Sequence, residues 1–435
     1  MTGRRSAALL VTSLTLAACT PARAIETGPG GTPAPSAAGA VRSPELARPQ
    51  DVGMSAGGLA RVDSIIEAAI ADHATPGAAV AIGRRGKLVR LRGYGRLDYR
   101  PGYGAATDST LYDLASLSKV IGTTTAAMLL VEAGTLDLDR TVASYLPELS
   151  GDVRKNAVTV RQLLLHTSGF PAFLPLYTEA RGRERYLRRI DRIPFEYAPG
   201  TRTVYSDFNL ILTALIVERL TGRTLDALLH DRVYGPLHMR DTGYNPLAPL
   251  APIPADTDCT APYRPDAPLL ARIAPTEIDT IYRHRHIYGI VHDENACAIG
   301  GVSGHAGLFS SARDLAVFAQ MMLNGGEYGG VRVLHARTID GFTARQGPAS
   351  TRGLGWDTPG DGVVPDGFSP RSFGHTGFTG TSIWVDPSRQ LFVVLLTNRV
   401  NPTRDNQKIV PLRRAVAGAV LQAVVGDGPE KAVQK

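Results

Sequence analysis

Strand-forming segments lie at the two ends of this 435-residue chain, and mainly helical signals lie between them. Near the beginning, Ala78–Gly83 and Lys87–Gly93 are apolar runs joined by a short turn that contains Gly86. Near the end, Ser382–Val385 and Leu391–Leu396 form a second pair of this kind. The simplest topology is an antiparallel sheet that is built from both terminal segments, with the middle of the chain inserted between them.

Helical signals flank this sheet and fill the middle of the chain. A helix is predicted after Ser55, which can cap it, and a long one closes the chain at about Asp405 to Val424. From about Leu111 to Phe342 the chain shows mainly helical patterns and loops. The fold class is therefore α/β in composition, of the α+β kind, with a helical insertion. The apolar face of the first helix comprises Leu59, Val62, Ile66, Ala69 and Ile70.

The first 18 residues have the pattern of a signal peptide. Arg4 and Arg5 precede the apolar stretch Ala7–Ala18, which is too short to span a bilayer. The stretch ends in Leu-Ala-Ala-Cys19, which resembles the lipobox of bacterial lipoproteins, so Cys19 is predicted to carry lipid. The alternative is ordinary cleavage before Ile25. We expect the protein in the periplasm or cell envelope, anchored to a membrane by this lipid. Thr20 is no inner-membrane retention signal, so in a Gram-negative cell the outer membrane is expected.

Composition sets the domain boundaries and argues against nucleic-acid binding. Residues 19–49 are rich in Pro, Gly, Ala, Thr and Ser and are predicted to be a tether with a reach of roughly 30 Å. A catalytic domain is predicted over residues 50–428 and a short tail over 429–435. Loss of the two leader arginines lowers the formal charge from +7 to +5, and that excess is spread along the chain. Without a basic patch or a recognition motif, no nucleic-acid partner is expected.

The segment Ser116-Leu-Ser-Lys119, followed by an apolar helix to Gly134, is the first candidate catalytic element. Residues three apart on a helix share a face, so Lys119 is placed to act on Ser116. A serine hydroxyl needs a base, and burial in an apolar helix can make a lysine one. The alternative is a capping serine beside a solvated lysine.

Two later segments supply further polar groups. Tyr205-Ser-Asp207 enters a helix, and a tyrosine close to a lysine can relay a proton. His375-Thr376-Gly377-Phe378 lies in a glycine-rich stretch at a late strand, where backbone N–H groups can complete an oxyanion hole.

These three elements, in this order, resemble those of serine β-lactamases, D-Ala-D-Ala peptidases and related esterases, and most closely the class C branch. The resemblance covers about residues 50 to 424 and implies that fold. It implies Ser116 as the acylated nucleophile, Lys119 as general base and Tyr205 as proton relay. His375, Thr376 and Gly377 would line the site, and the N–H groups of Ser116 and Phe378 would form the oxyanion hole. No cofactor is implied.

Two positions depart from the commoner pattern. Asp207 stands where the family often has Asn, and a carboxylate near Lys119 should favour the ammonium form. His375 stands where the family often has Lys, which weakens recognition of a substrate carboxylate. One hypothesis is that Asp207 and His375 form an ion pair, which would leave Lys119 freer to lose its proton. The alternative is two independent changes, with Asp207 facing solvent.

The predicted function is an exported serine hydrolase that acts on a small-molecule or peptidoglycan-derived ester or amide. A D-Ala-D-Ala carboxypeptidase or esterase with weak or no β-lactamase activity fits best; the alternatives are a true β-lactamase and a cell-wall-binding sensor without turnover. Cys259 and Cys297 can pair or remain free thiols. No metal is predicted, because the following group lacks the helical spacing of ligands: His284, His286, His292, Asp293 and Glu294.

Overall fold

The computed structural model describes residues 44–149, 153–247, 267–347, 350–360 and 362–425. Short 3-10 turns lie at Pro49–Val52, Pro147–Leu149, Leu176–Thr178 and Pro387–Arg389, and π-helical turns at Ser118–Thr124 and His230–Tyr234. The helices are α1 Ala56–Ala71, α2 Thr125–Glu132, α3 Val142–Tyr145, α4 Val153–Asn156, α5 Val160–Leu164, α6 Arg183–Asp191, α7 Asp207–Thr221, α8 Leu225–Leu229, α9 Ala267–Leu270, α10 Glu294–Ala298, α11 Ala312–Leu323, α12 Ala336–Thr343 and α13 Ile409–Ala423. The strands are β1 Gly77–Arg84, β2 Lys87–Gly95, β3 Tyr112–Asp113, β4 Gly243–Tyr244, β5 Ile278–Asp279, β6 Arg285–His286, β7 Leu308–Ser310, β8 Glu327–Tyr328, β9 Val331–Arg332, β10 Phe373–Thr376, β11 Ser382–Asp386 and β12 Leu391–Thr397.

The main sheet joins the two ends of the chain, as the sequence predicts. Its strand order is β10-β11-β12-β1-β2, and every neighbouring pair is antiparallel. The last strand of the chain therefore lies beside the first, with Val80 opposite Leu395. Smaller sheets have the orders β3-β7-β4, β5-β6 and β8-β9.

The central strands are buried on both faces, which is why their sequences are apolar without a break. Along β1, Val80 and Ile82 face a core that includes residues of α1 and α13. The alternate residues Ala79 and Ala81 face the larger core that contains α11 and the inserted helices. Each fully buried Val or Ile side chain stabilises the fold by about 1.5–3 kcal/mol. The sheet therefore separates two helical layers.

The terminal helices follow the predictions with one shift. The Ser55 hydroxyl accepts the Gly58 N–H at 3.2 Å and caps α1. The last helix begins at Ile409 rather than Asp405, because Arg404 is bound to Glu277 and keeps the preceding residues in a loop. At the other end, Glu45 and Ala47 already bond to Leu88 of β2, so the domain includes residues that composition assigned to the tether.

The predicted apolar helix after Lys119 begins differently from expectation. The turn from Ser118 to Thr124 has the wider π-helical form, and α2 follows it directly. Ser116 lies just before this turn rather than in a first α-helical turn. Gly134, with φ of 69°, follows the helix end as predicted. None of the described helices combines the length and apolar character needed to cross a bilayer.

Cysteine pairing is partly described. Cys297, on α10, is disulfide-bonded. The other two cysteines of the chain, Cys19 and Cys259, lie outside the described residues, so the predicted lipidation site has no structural account.

Candidate active site

Ser116 lies on a strained loop between β3 and the helical turn that follows. Ala115, just before it, has φ of 47°, a left-handed conformation that is costly for a residue with a Cβ. Asp113 holds this loop: one carboxylate oxygen accepts the Ala115 N–H at 2.8 Å and the other accepts the His292 N–H at 2.6 Å. The buried carboxylate thus presents Ser116 at a fixed point beside Lys119.

The ammonium group of Lys119 meets three acceptors. Lys119 is fully buried, and Nζ lies 3.0 Å from the Ser116 hydroxyl oxygen, 3.0 Å from the His305 carbonyl oxygen and 2.8 Å from Asp207 Oδ1. A lysine ammonium has three N–H donors, so these three acceptors satisfy it. The geometry favours the charged form of Lys119.

Electrostatics point the same way. Burial by itself lowers the pKa of Lys119, but the carboxylate of Asp207 and the neighbouring Tyr205 outweigh burial and raise that pKa above its ordinary value. The expectation that Asp207 would favour the ammonium form agrees with this geometry. Lys119 can act as a base only after it loses a proton that Asp207 helps to hold.

Tyr205 lies over the catalytic groups with its ring in a cluster of bases and cations. Tyr205 is 37% exposed, its ring centroid lies 4.9 Å from Lys119 Nζ, and its hydroxyl is close to both Lys119 and Ser116. Burial raises the pKa of Tyr205, and the charge of Lys119 opposes that rise. The ring centroid lies 4.7 Å from that of His166 and 5.8 Å from that of His375. Tyr205 is therefore close to both Ser116 and Lys119, as the predicted proton relay requires.

His375 does not pair with Asp207 in the described structure. Its Nδ1 lies 2.7 Å from the Thr376 carbonyl oxygen, so Nδ1 carries the proton and Nε2 is left without one in the neutral ring. The carboxylate that Nε2 faces is Asp357, at 4.0 Å. Burial and the charge of Arg352 hold the pKa of His375 well below its usual value. His375 is therefore neutral, and Asp207 is committed to Lys119.

The two predicted oxyanion donors lie on loops that are tied together. Thr379 donates to the Asp113 carbonyl at 2.6 Å, and Thr381 donates to the Leu114 carbonyl at 2.9 Å. Gly377 is required at this junction, because a Cβ there would overlap Thr381 and Leu114. Among the described residues, neither the Ser116 nor the Phe378 backbone N–H donates to a protein acceptor. Both are free to bind a developing oxyanion.

His166 and His305 both serve as hydrogen-bonding supports. His166 Nδ1 accepts the Ser206 N–H at 3.0 Å and thereby holds the start of α7. His305 is buried between Ser303, 2.7 Å from Nδ1, and Asp293, 2.9 Å from Nε2, while its carbonyl accepts from Lys119. Asp293 also caps α10 through the Ala296 N–H at 2.7 Å.

One group near Lys119 has the composition of a metal site. Among the described residues, Asp207, Asp293 and His305 place ligand atoms within 4.8 Å of one another. The Lys119 ammonium already neutralises Asp207 at 2.8 Å, so a cation would have to displace it. Two of the histidines that the sequence analysis considered together with Asp293 have other partners: His286 contacts Arg100, and His292 contacts Glu277.

Several residues around the site carried no recognisable signal in the sequence. Asp357 and Arg352 form a buried ion pair beside His375, and Arg352 also lies over the Tyr205 ring with Cζ 5.7 Å from its centroid. Arg399 and Arg413 bind the turn that carries Phe378. Their positions depend on contacts between distant parts of the chain. Asp293 and Arg399 are the exceptions: Asp293 belongs to the group considered for a metal site, and Arg399 lies in the segment Asn398–Arg404, which also resembles D-Ala-D-Ala carboxypeptidase- or esterase-like proteins.

Comparison with known proteins agrees with this geometry. The profile of the β-lactamase family matches residues 62–418. A protein of Escherichia coli K12 named "Putative D-alanyl-D-alanine carboxypeptidase" is 37% identical over 333 residues, which cover 70% of this chain and 72% of the relative. A protein of the same name from Salmonella typhimurium is 34% identical over 400 residues, covering 86% and 90%.

Solved structures share the fold at lower identity. A class C β-lactamase superposes with a TM-score of 0.65 at 19% identity, over 86% of this chain and 98% of that one. The hydrolase EstCE1, described as having promiscuous acyltransferase activity, gives 0.64 at 21% identity, over 84% and 98%. A penicillin-binding protein homologue from Caulobacter crescentus gives 0.60 at 21% identity, over 84% and 99%. The predicted fold class is confirmed.

Proposed function

The chain belongs to the β-lactamase family of serine hydrolases, and we propose that it is a D-Ala-D-Ala carboxypeptidase that also cleaves short acyl esters and has little β-lactamase activity. The observation that carries the proposal is the position of Lys119 Nζ, 3.0 Å from the Ser116 hydroxyl oxygen and 2.8 Å from Asp207. Similarity to relatives that bear the carboxypeptidase name supports the choice of substrate.

In the proposed reaction, Ser116 Oγ attacks the carbonyl carbon of the penultimate D-Ala. The serine proton passes to Lys119 in its neutral form or through the Tyr205 hydroxyl, and the negative charge on the carbonyl oxygen is bound by the Ser116 and Phe378 N–H groups. Collapse of this intermediate breaks the C–N bond, the terminal D-Ala leaves with a proton, and an ester remains on Ser116. Water then hydrolyses that ester and restores the serine.

The ester activity is proposed because the site lacks a charged group at His375. A neutral imidazole binds a substrate carboxylate less strongly than an ammonium does. A substrate without a free carboxylate therefore loses less here than in a relative with lysine at this position. Phe378, at 48% exposure, offers an apolar surface next to the oxyanion donor.

A second candidate, recognition of cell-wall peptides without turnover, is favoured by one observation. Asp207 raises the pKa of Lys119, which lies beside Ser116, and a lysine held as ammonium is a poor base. Such a protein would acylate slowly or not at all.

The test is a substrate panel with Ser116→Ala as the matched control. The purified protein is given diacetyl-Lys-D-Ala-D-Ala, p-nitrophenyl acetate, p-nitrophenyl butyrate and nitrocefin. We expect release of D-Ala and of p-nitrophenol, slow nitrocefin cleavage, and loss of every activity in Ser116→Ala. Fast nitrocefin cleavage with no D-Ala release would identify a true β-lactamase. Peptide binding with no turnover of any substrate would favour the second candidate.

We also propose that the protein is exported and anchored through lipid on Cys19, which would place it with peptidoglycan. The disulfide at Cys297 supports an oxidising compartment.

A further inference from the structure

Two arginines bind backbone carbonyls of the turn that carries Phe378. Arg413, on α13, donates through Nη2 to the Gly377 carbonyl and, at 2.8 Å, to the Thr381 carbonyl. Arg399, just after β12, donates through Nε to the Phe378 carbonyl at 2.7 Å. The Gly377 carbonyl and the Phe378 N–H belong to the same peptide group. Arg413 therefore binds the acceptor end of the peptide whose donor end faces the oxyanion.

We propose that Arg413 is a positioning residue that orients and polarises the Gly377–Phe378 peptide, and so strengthens the Phe378 N–H as an oxyanion donor. The inference rests on the proposed function, because it assumes an acyl-enzyme on Ser116. Hydrogen bonds in a chain polarise one another, so a charged donor on the carbonyl makes the N–H of the same peptide a stronger donor. The positive charge also favours the oxyanion directly.

The positive charge of Arg413 is energetically unfavourable at this position, which supports a functional role for that charge. Among the described residues, neither Arg413 nor Arg399 has a carboxylate within 4.0 Å, and Arg413 Nε is buried without an acceptor. Burial and the neighbouring charge of Arg399 both lower the pKa of Arg413, which shows that the charge is unfavourable there. A turn that needed only a clamp could use a neutral donor at lower cost.

Because His375 is neutral, the positive charges of Arg413 and Arg399 can take over the electrostatic support of the oxyanion. Relatives often carry a lysine at that position, whereas His375 supplies no positive charge to this site. Arg413 and Arg399 bring positive charge to the turn that carries Phe378. The electrostatic support of the oxyanion would thus come from α13 and the residues after β12.

The experiment uses p-nitrophenyl pivalate labelled with ¹³C at the carbonyl, a bulky ester whose acyl-enzyme is expected to hydrolyse slowly. Intact-mass spectrometry first shows whether the wild-type protein forms a pivaloyl adduct on Ser116. Isotope-edited infrared spectroscopy then measures the stretching frequency of the acyl carbonyl, which falls as the oxyanion donors become stronger. Stopped-flow release of p-nitrophenol gives the acylation rate constant and, separately, its half-saturating ester concentration.

Three substitutions separate charge from hydrogen bonding. Arg413→Gln keeps a neutral donor, Arg413→Met keeps neither property, and Arg413→Lys keeps the charge. Arg414→Gln is the matched control, because Arg414 is the exposed neighbour on α13 and donates to Gly362 at 3.3 Å. Thermal unfolding shows which variants are folded.

We expect Arg413→Gln and Arg413→Met to acylate about tenfold more slowly at an unchanged half-saturating concentration, which is less than the loss of a whole oxyanion donor causes. Their carbonyl frequency should rise, that of Arg413→Lys should stay closer to wild type, and that of Arg414→Gln should not change. If Arg413→Gln and Arg413→Met do not fold, the carbonyl frequency in Arg413→Lys is the test. The reference is a folded Phe378→Pro variant, which lacks the backbone N–H of residue 378. A frequency rise in Arg413→Lys as large as the rise in Phe378→Pro would show that the charge alone does not strengthen this donor. An unchanged frequency in folded Arg413→Gln would overturn the inference and leave the proposed function intact. A wild-type protein that forms no adduct would overturn both.

Discussion

The carboxylate of Asp207 lies 2.8 Å from the ammonium of Lys119, which lies 3.0 Å from the Ser116 hydroxyl oxygen. A carboxylate at this distance holds the lysine proton, whereas an amide at the same position would donate and accept without holding charge. Because of this contact, we expect Ser116 to be acylated only slowly at neutral pH, although the other elements of a serine hydrolase site are present.

Asp207→Asn should make Lys119 a better base. Burial lowers the pKa of Lys119, and the carboxylate of Asp207 raises it, so removal of that carboxylate makes the pKa fall. Below that pKa, each unit by which it falls increases the neutral fraction of Lys119 tenfold. The ascending limb of kcat/KM against pH should therefore move to lower pH, and nitrocefin turnover at pH 7 should rise. Asp340→Asn, which removes an exposed carboxylate on α12, is a control for carboxylate loss. A limb that stays in place would show that Lys119 is not the titrating base.

His375 should couple energetically to Asp357 and not to Asp207. Nε2 of His375 faces Asp357 at 4.0 Å, while Asp207 is bound to Lys119. A double-mutant cycle on ester kcat/KM with His375→Lys and Asp357→Asn should give an interaction of about 1 kcal/mol or more. The cycle that combines His375→Lys with Asp207→Asn should give a smaller one. A larger coupling energy with Asp207 than with Asp357 would instead support the Asp207–His375 pair.

Asp314→Asn should stabilise the protein at pH 8 and leave it nearly unchanged at pH 4. Burial, and then the charge of Asp241, raise the pKa of Asp314 to about 7 in the folded state. The folded state thus holds a proton that the unfolded state releases, so stability falls as pH rises from about 4 to about 7. The asparagine oxygen can still accept from the Asp241 N–H and the Thr242 hydroxyl. The gain in unfolding free energy at pH 8 should be at most about 4 kcal/mol. Asp340→Asn, exposed on α12, is the control, and equal gains at both pH values would refute this assignment.

Cys19→Ser should release the protein from membranes. The motif Leu-Ala-Ala-Cys19 followed by a polar segment motivates this prediction, which concerns residues outside the described structure. Fractionation of the native host should find wild type with membranes and the variant in the soluble fraction. A wild-type protein that is soluble and begins at Ile25 contradicts the lipid anchor.

The sequence predicted those features that depend on local pattern. Apolar runs and turn residues located β1, β2, β11 and β12. The order of three short motifs grouped Ser116, Lys119 and Tyr205 in one predicted site and indicated the family. These signals are local because a strand or a motif is formed by adjacent residues.

The sequence could not predict which charges would meet. Asp207 was expected to face either Lys119 or His375, and the choice depends on how α7 packs against the turn at Lys119. The carboxylate that faces His375 is that of Asp357 and not that of Asp207. Asp357 lies 150 positions after Asp207 in the chain and belongs to no recognised motif. Arg413 reaches Gly377 only because α13 packs on the sheet. Such contacts follow from tertiary packing, which a single sequence does not display.

The most direct test of the central claim is intact-mass spectrometry after reaction with a fluorophosphonate and with a penicillin. We predict one adduct per chain, located on Ser116 by peptide mapping, and none in Ser116→Ala. Lys119→Ala should retain the fold and lose nearly all labelling, because Lys119 Nζ lies 3.0 Å from the hydroxyl oxygen of Ser116, the proposed nucleophile. An adduct that persists in Ser116→Ala, or a folded wild-type protein that is labelled by neither reagent, would contradict the assignment of Ser116 as the nucleophile.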